Sequence, residues 1–202
     1  MYKKQKFVFK DFAPAIFERI RLFNGVTNET YLESMVPEKL LQSILESQKF
    51  SEGRSGSFFV FTNDKKFILK TVPKNEAQVL MKILPYYYKH LKRETNSFLI
   101  RIFGLVSMSM DHGMEIFVMI MANAFNTNNT IHEKYDLKGS WVRRCVGEKH
   151  IKDPSILGLD LDLKRSKRKL LLNLIDKQLF CKQIRSDADV NQAFPFPFSF
   201  FF

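Results

Sequence analysis

Two β-rich runs separated by a turn signal constrain the fold of this chain more than any other feature. Residues 58–62 are almost entirely aromatic or β-branched, and residues 67–69 resume the same pattern. Between them, Asn63-Asp64 is typical of a turn. The pattern predicts an antiparallel hairpin with strands over 57–62 and 66–72.

Helical spacing on both sides of the hairpin predicts an α+β fold, an antiparallel sheet flanked by helices. Helices are expected over 14–23, 37–48 and 74–92, the last interrupted at Pro85, and further strands over 98–106 and 115–122. After Gly147 the signal weakens. Residues 159–163 alternate as a strand would, and leucine and isoleucine at every fourth position predict a helix near 169–185.

Composition narrows the class of protein without choosing it. The 202 residues are 45% hydrophobic, which is enough for one sizeable core, arranged as one domain or as a compact pair of lobes. A net charge of +11 attracts anionic partners such as nucleic acid, acidic protein or inner-leaflet lipid. Cys145 and Cys181 form no close pair, which argues against a disulfide framework or a zinc knuckle. With no signal-peptide pattern and no long apolar run, we expect a cytoplasmic protein, peripheral at the membrane.

Residues 135–144 combine a carboxylate, an ammonium, a flexible glycine and two guanidinium groups. Asp136, Lys138, Gly139, Arg143 and Arg144 are typical of a loop that binds phosphate while keeping a fixed shape. For an isolated match, a solvated loop with an incidental salt bridge would explain the same residues equally well.

A series of motifs in constant order resembles the phosphatidylinositol phosphate kinase family over about residues 7–189. The stretch at 136–140 is similar to that family's Asp-Leu-Lys-Gly-Ser signature. The others are Asp11-Phe12-Ala13-Pro14, Gly53-Arg54-Ser55-Gly56-Ser57-Phe58-Phe59, Asp64-Lys65-Lys66-Phe67-Ile68-Leu69-Lys70-Thr71, and Val118-Met119 with Asn123 and Phe125.

The resemblance implies an ATP-dependent lipid kinase that phosphorylates the inositol ring of a phosphoinositide at the cytosolic membrane face, with Mg²⁺ in the full-length member. It implies an N-terminal kinase lobe over 1–128 and an incomplete start of a C-terminal lobe over 129–189. The Phe/Pro tail over 190–202 diverges from the family, and its alternating prolines, which remove backbone donors, predict disorder. The ATP-binding residues it implies are Lys70, Gly53, Ser55, Gly56, Ser57, Glu76 and Asn123. The phosphoinositide-binding residues it implies are Asp136, Lys138, Gly139, Arg143 and Arg144.

Several of these residues also have plainer interpretations. Lys70 could be an exposed strand lysine, the glycine loop an ordinary turn, and Glu76 a residue favoured in a first helical turn by the helix dipole. The matching motifs around Lys70 favour the functional interpretation.

The family's catalytic Asp segment and metal-binding Asp have no counterpart in this sequence, so no catalytic or metal-binding residue is identified. Asp187 and Asp189 could stand in, but nothing around them supports a catalytic loop. We therefore expect this chain as written to be inactive, and a frameshift, retained intron or truncated gene model explains the break better than evolved loss. The alternative is a catalytically dead phosphoinositide- or nucleotide-binding fragment. No nucleic-acid partner is expected, because the chain has no RNP or zinc pattern, and a homodimer is left open.

Overall fold

The structure, a computed structural model, describes residues 7–46, 57–110, 114–147, 153, 156–167, 169–193 and 200–201. The chain forms two compact units. Unit 1 comprises residues 1–95 and 101–126, and unit 2 comprises residues 96–100 and 127–202.

Unit 1 is built on a five-stranded antiparallel sheet with the order β1-β4-β5-β3-β2. Its strands are β1 (Phe7–Asp11), β2 (Phe59–Phe61), β3 (Phe67–Val72), β4 (Ile102–Met110) and β5 (Ile116–Ala122). The predicted hairpin is β2 and β3, in which Phe59 pairs with Lys70. Strand β1 was not predicted, and β4 begins four residues later than expected. The sheet with its flanking helices confirms the α+β expectation.

Four helices complete unit 1 within its described residues: α1 (Pro14–Phe23), α2 (Asn28–Ser34), α3 (Pro37–Glu46) and α4 (Lys74–Arg93). The predicted interruption at Pro85 is wrong, because α4 continues through this proline. Proline removes one backbone hydrogen bond and clashes with the preceding turn. Burial of Ile83, Leu84 and Tyr87 around it outweighs that cost and keeps the helix continuous.

The core of unit 1 is centred on the side chain of Phe67, which is 1% exposed. Its ring meets the rings of Tyr31 and Phe103 edge-on, each with a centroid distance of 5.7 Å. Tyr87 is fully buried, and its hydroxyl oxygen accepts a hydrogen bond from the Ile102 N–H at 2.9 Å. Burial therefore fixes the sheet against α4 through both apolar packing and one satisfied polar contact.

Within its described residues, unit 2 contains a small three-stranded sheet with the order β7-β6-β8 and two helices. Its elements are β6 (Tyr135–Leu137), β7 (Gly158–Leu159), α5 (Asp160–Ser166), α6 (Leu174–Ala193) and β8 (Phe200–Phe201). None of the described helices in either unit has the length and apolar character that a membrane span requires.

Three expectations for unit 2 differ from the structure. The strand expected over 159–163 is wrong, since helix α5 begins at Asp160; the Asp162 carboxylate accepts the Leu159 N–H at 3.1 Å and so caps the helix start. The helix expected near 169–185 instead runs from Leu174 to Ala193. We expected a disordered tail from residue 190, but Phe200–Phe201 forms a short strand that pairs with β6.

Candidate functional site

Lys70 lies in the middle of β3, with Phe59 on one side and Met119 on the other in the strand register. Its side chain therefore shares one face of the sheet with these two residues. The ammonium lies 5.7 Å from the centroid of the Phe59 ring. Within the described residues, no carboxylate lies within ion-pair distance of Lys70. A half-buried cation without an acidic partner is suited to holding an anion.

The other residues implied in ATP binding are only partly described. Gly53, Ser55 and Gly56 lie outside the described residues, while Ser57 is buried just before β2. Glu76 lies in the first turn of α4 and forms no ion pair with Lys70 among the described residues, so its predicted part in ATP binding stays a prediction.

Asn123 fastens the end of β5 to the turn between β2 and β3. Its amide nitrogen donates to the Lys65 carbonyl at 2.8 Å, and its amide oxygen accepts the Phe125 N–H at 3.1 Å. The side chain thus has a structural task in this turn, and its predicted contact with ATP stays a prediction.

In unit 2, Arg144 is inserted between two carboxylates. Its Nε donates to Asp160 at 2.7 Å, one terminal nitrogen lies 3.3 Å from the Asp136 carboxylate, and the same nitrogen donates to the Asp136 carbonyl. Only 12% of the Arg144 side chain is exposed. The guanidinium that we predicted to bind phosphate is therefore committed to protein groups here, and its phosphate contact remains a prediction.

Asp160 and Asp162 hold the two ends of the loop that contains Arg144. Asp160 Oδ1 accepts the N–H groups of Lys138 and Gly139 at 3.0 and 2.8 Å. Asp162 accepts the N–H groups of Val146 and Gly147 at 2.9 and 3.3 Å. Each carboxylate thus binds one end of the loop.

The pKa values of both carboxyl groups reflect these contacts. Burial opposes ionisation of Asp160, but the hydrogen bonds from Arg144 and from three backbone N–H groups, those of Lys138, Asp160 and Gly139, outweigh it and lower its pKa below the ordinary value. The pKa of Asp162 is lowered in the same way, because the hydrogen bonds that it accepts, chiefly from Val146, outweigh its burial.

Sequence reasoning missed Asp160 and Asp162. The available signal was chemical: an arginine in a loop that becomes buried requires an acidic partner, and Asp160 and Asp162 are among the acidic residues that follow it in the sequence. The cations left exposed in this loop are Lys138, whose ammonium is 3.8 Å from Asp136, and Arg143. Oδ1 of Asp136 is buried and has no hydrogen-bond partner among the described residues.

The described residues contain no group of three or more histidine, cysteine, aspartate or glutamate side chains that could hold a metal ion. Asp187 is fully buried, and its carboxylate accepts the Phe98 N–H at 2.7 Å and the Gln183 amide at 3.1 Å. Both carboxylate oxygens of Asp187 thus accept protein hydrogen bonds, and the Mg²⁺ implied by the family resemblance stays a prediction.

Unit 2 should lose stability in acid because of Asp160 and Asp162. Their folded-state pKa values lie below the unfolded value of about 3.9, so their contribution is complete above about pH 4 and is lost as pH falls through the folded values. Trp141, the only tryptophan, lies in unit 2 and can report urea unfolding at pH 6, 4 and 3. The Asp162→Asn variant should show a flatter pH dependence, and an unchanged one would contradict this assignment.

The antiparallel sheet flanked by helices, with Lys70 on the hairpin at one edge, is an α+β fold consistent with a kinase-like domain. Residues 40–194 match the family described as Phosphatidylinositol-4-phosphate 5-Kinase. Because this match covers most of the chain, the protein belongs to that family.

Relatives from distant organisms support this family assignment. A probable phosphatidylinositol phosphate kinase of Dictyostelium discoideum is 37% identical over 187 residues, covering 93% of this chain and 26% of the relative. Phosphatidylinositol 4-phosphate 5-kinase of Plasmodium falciparum is 34% identical over 92% of this chain and 12% of its own. The human type-1 alpha enzyme is 34% identical over 93% of this chain and 32% of its own. The chain thus spans a third or less of the length of these relatives.

Proposed function

We propose that this chain supplies the nucleotide-binding sheet and the headgroup-binding loop of a lipid kinase that transfers the γ-phosphate of ATP to phosphatidylinositol 4-phosphate. The family supports phosphoryl transfer to a phosphoinositide, and the names of the relatives suggest the 4-phosphate as substrate and position 5 as the acceptor. Unit 1 would serve as the N-terminal lobe, and unit 2 would begin the C-terminal lobe. The reaction would take place at the cytosolic face of a membrane.

Lys70 carries the nucleotide part of this proposal. An amine that is half-buried on a sheet face, with no carboxylate in ion-pair distance among the described residues, would be stabilised by the phosphates of ATP. Lys138 and Arg143 would contact the phosphate groups of the lipid, because they are exposed while Arg144 holds the loop together.

Lys70→Ala should weaken the binding of a fluorescent ATP analogue by about 10- to 100-fold, the loss expected for one hydrogen bond to a charged group. Lys66→Ala is the matched control, since it removes the same charge from an exposed position in the turn just before β3. It should leave the affinity unchanged. Equal affinities for the Lys70→Ala variant and the wild-type chain would remove Lys70 from the nucleotide site.

The 202-residue polypeptide by itself should bind ATP without phosphorylating lipid. Phosphoryl transfer requires a group that positions the attacking hydroxyl, and losing such a group costs several powers of ten in rate. Asp187 cannot supply it, because its carboxylate is buried and holds Phe98. Radiolabelled ATP with phosphatidylinositol 4-phosphate micelles measures turnover, with Lys70→Ala as background. Turnover clearly above that background would show that Asp189 or another carboxylate performs this step.

A further inference from the structure

We propose that residues 140–143 form a tip that inserts into the surface of an anionic lipid bilayer, with Trp141 and Val142 entering the interface. This goes beyond the proposed phosphoryl transfer, because insertion requires neither ATP nor a phosphoinositide. The occupant is a lipid surface bearing negative charge.

The first observation is that hydrogen bonds hold both ends of the tip in place. The Asp160 carboxylate accepts hydrogen bonds from the backbone at residues 138–139, and the Asp162 carboxylate accepts them from the backbone at residues 146–147. The ion pair between Arg144 and Asp160 joins the two sides of the loop. Gly139 and Arg143 adopt left-handed backbone conformations, with φ of 68° and 55°. The four residues between these anchors project as a short loop whose position is fixed by α5.

The second observation is the exposure of large apolar groups at this tip. Trp141 is 56% exposed and Val142 is 77% exposed, although both follow directly from an anchored segment. Exposing two adjacent apolar side chains on a rigid loop is unfavourable in water and favourable at a membrane interface. Tryptophan in particular prefers the headgroup level of a bilayer.

The third observation is that charge is segregated around the tip. The acidic side chains of this region, Asp136, Asp160 and Asp162, point inward and are largely buried. Cations are exposed at the tip: the Lys164 ammonium lies 4.5 Å from the Trp141 ring centroid, and Arg143, two residues after Trp141, is exposed. The exposed cations Lys138, Arg165, Lys167 and Lys169 extend the same basic character along the chain. Exposed cations around an apolar tip match an anionic bilayer, since each is worth about 1 kcal/mol near such a surface.

Trp141 is the only tryptophan of the chain, so its emission reports directly on the tip. The 202-residue protein is titrated with phosphatidylcholine vesicles with and without phosphatidylserine, free of phosphoinositide, and with lipids brominated in the acyl chain. We expect a blue shift and quenching by the brominated chains only with phosphatidylserine present. Because these vesicles contain no phosphoinositide, failure here leaves the kinase proposal untouched, and failure of ATP binding leaves this proposal untouched.

Substitutions at the tip distinguish insertion from general attraction. Val142→Glu should weaken partitioning by about tenfold or more, and Arg143→Ala by about fivefold. Leu32→Glu is the matched control, because Leu32 is 65% exposed on α2 in unit 1, and it should change partitioning little. Binding without a blue shift or acyl-chain quenching, or an equal loss for Leu32→Glu, would overturn the proposal. Absence of any vesicle binding would also overturn it and would leave the tip as a surface for a protein partner.

Discussion

Replacing Asp160 with alanine should lower the free energy of unfolding of unit 2 by about 3 kcal/mol or more. The carboxylate holds the guanidinium of Arg144 and two backbone N–H groups in a place where only 6% of its own side chain is exposed. Its removal would leave a buried cation with one acidic partner and two unsatisfied donors. The measurement is urea unfolding followed by the fluorescence of Trp141.

Three further variants separate the causes of this loss. Asp160→Asn should be milder, because the amide oxygen can still accept the backbone hydrogen bonds. The double variant Asp160→Ala with Arg144→Met should regain part of the loss, since the unpaired charge is gone. Asp189→Asn, at an exposed site on α6, should stay within about 0.5 kcal/mol of wild type. If Asp160→Ala unfolds at the same urea concentration as Asp189→Asn, the network does not stabilise the loop.

Phe67→Ala should lower the free energy of unfolding of unit 1 by about 3 to 5 kcal/mol. The ring is almost fully buried and packs edge-on against Tyr31 and Phe103, so its loss opens a cavity in the core. Hydrogen exchange of the amides in β3 and β5 measures this loss within unit 1.

Phe9→Ala is the matched control for this change, because Phe9 lies on β1 of the same sheet and is 62% exposed. Phe67→Leu, which keeps most of the volume, should fall between the two. Equal protection losses for Phe9→Ala and Phe67→Ala would mean that the aromatic cluster around Phe67 is not the centre of the core.

The sequence was informative where structure is determined locally. The hairpin of β2 and β3 could be predicted because its alternating residues and its turn lie within fifteen positions. Strand β1 could not, because it is a strand through its pairing with β4, in which Phe7 lies opposite Met110. No nearby pattern encodes a partner so distant in the chain.

The same distinction applies to the site. Lys70 was identified from its flanking residues, and the structure places it at the centre of β3. The alternation at 159–163 imitates a strand, yet hydrogen bonds from residues far upstream make Asp160 and Asp162 the first turn of a helix. Arg144 was predicted as a phosphate ligand for the same reason: the sequence does not show that Asp160 binds it first.

Because Asp160 and Asp162 of α5 hold the chain on either side of residues 140–143, the side chains of these four residues are not needed to keep the loop in place. The groups that close the loop lie outside it, in Asp136, Arg144, Asp160 and Asp162. Changes at residues 140–143 can therefore alter what the tip contacts without altering how the chain folds. Natural variation, or a grafted sequence, would change which surface the tip contacts by exchanging these four residues while the rest of unit 2 stays the same.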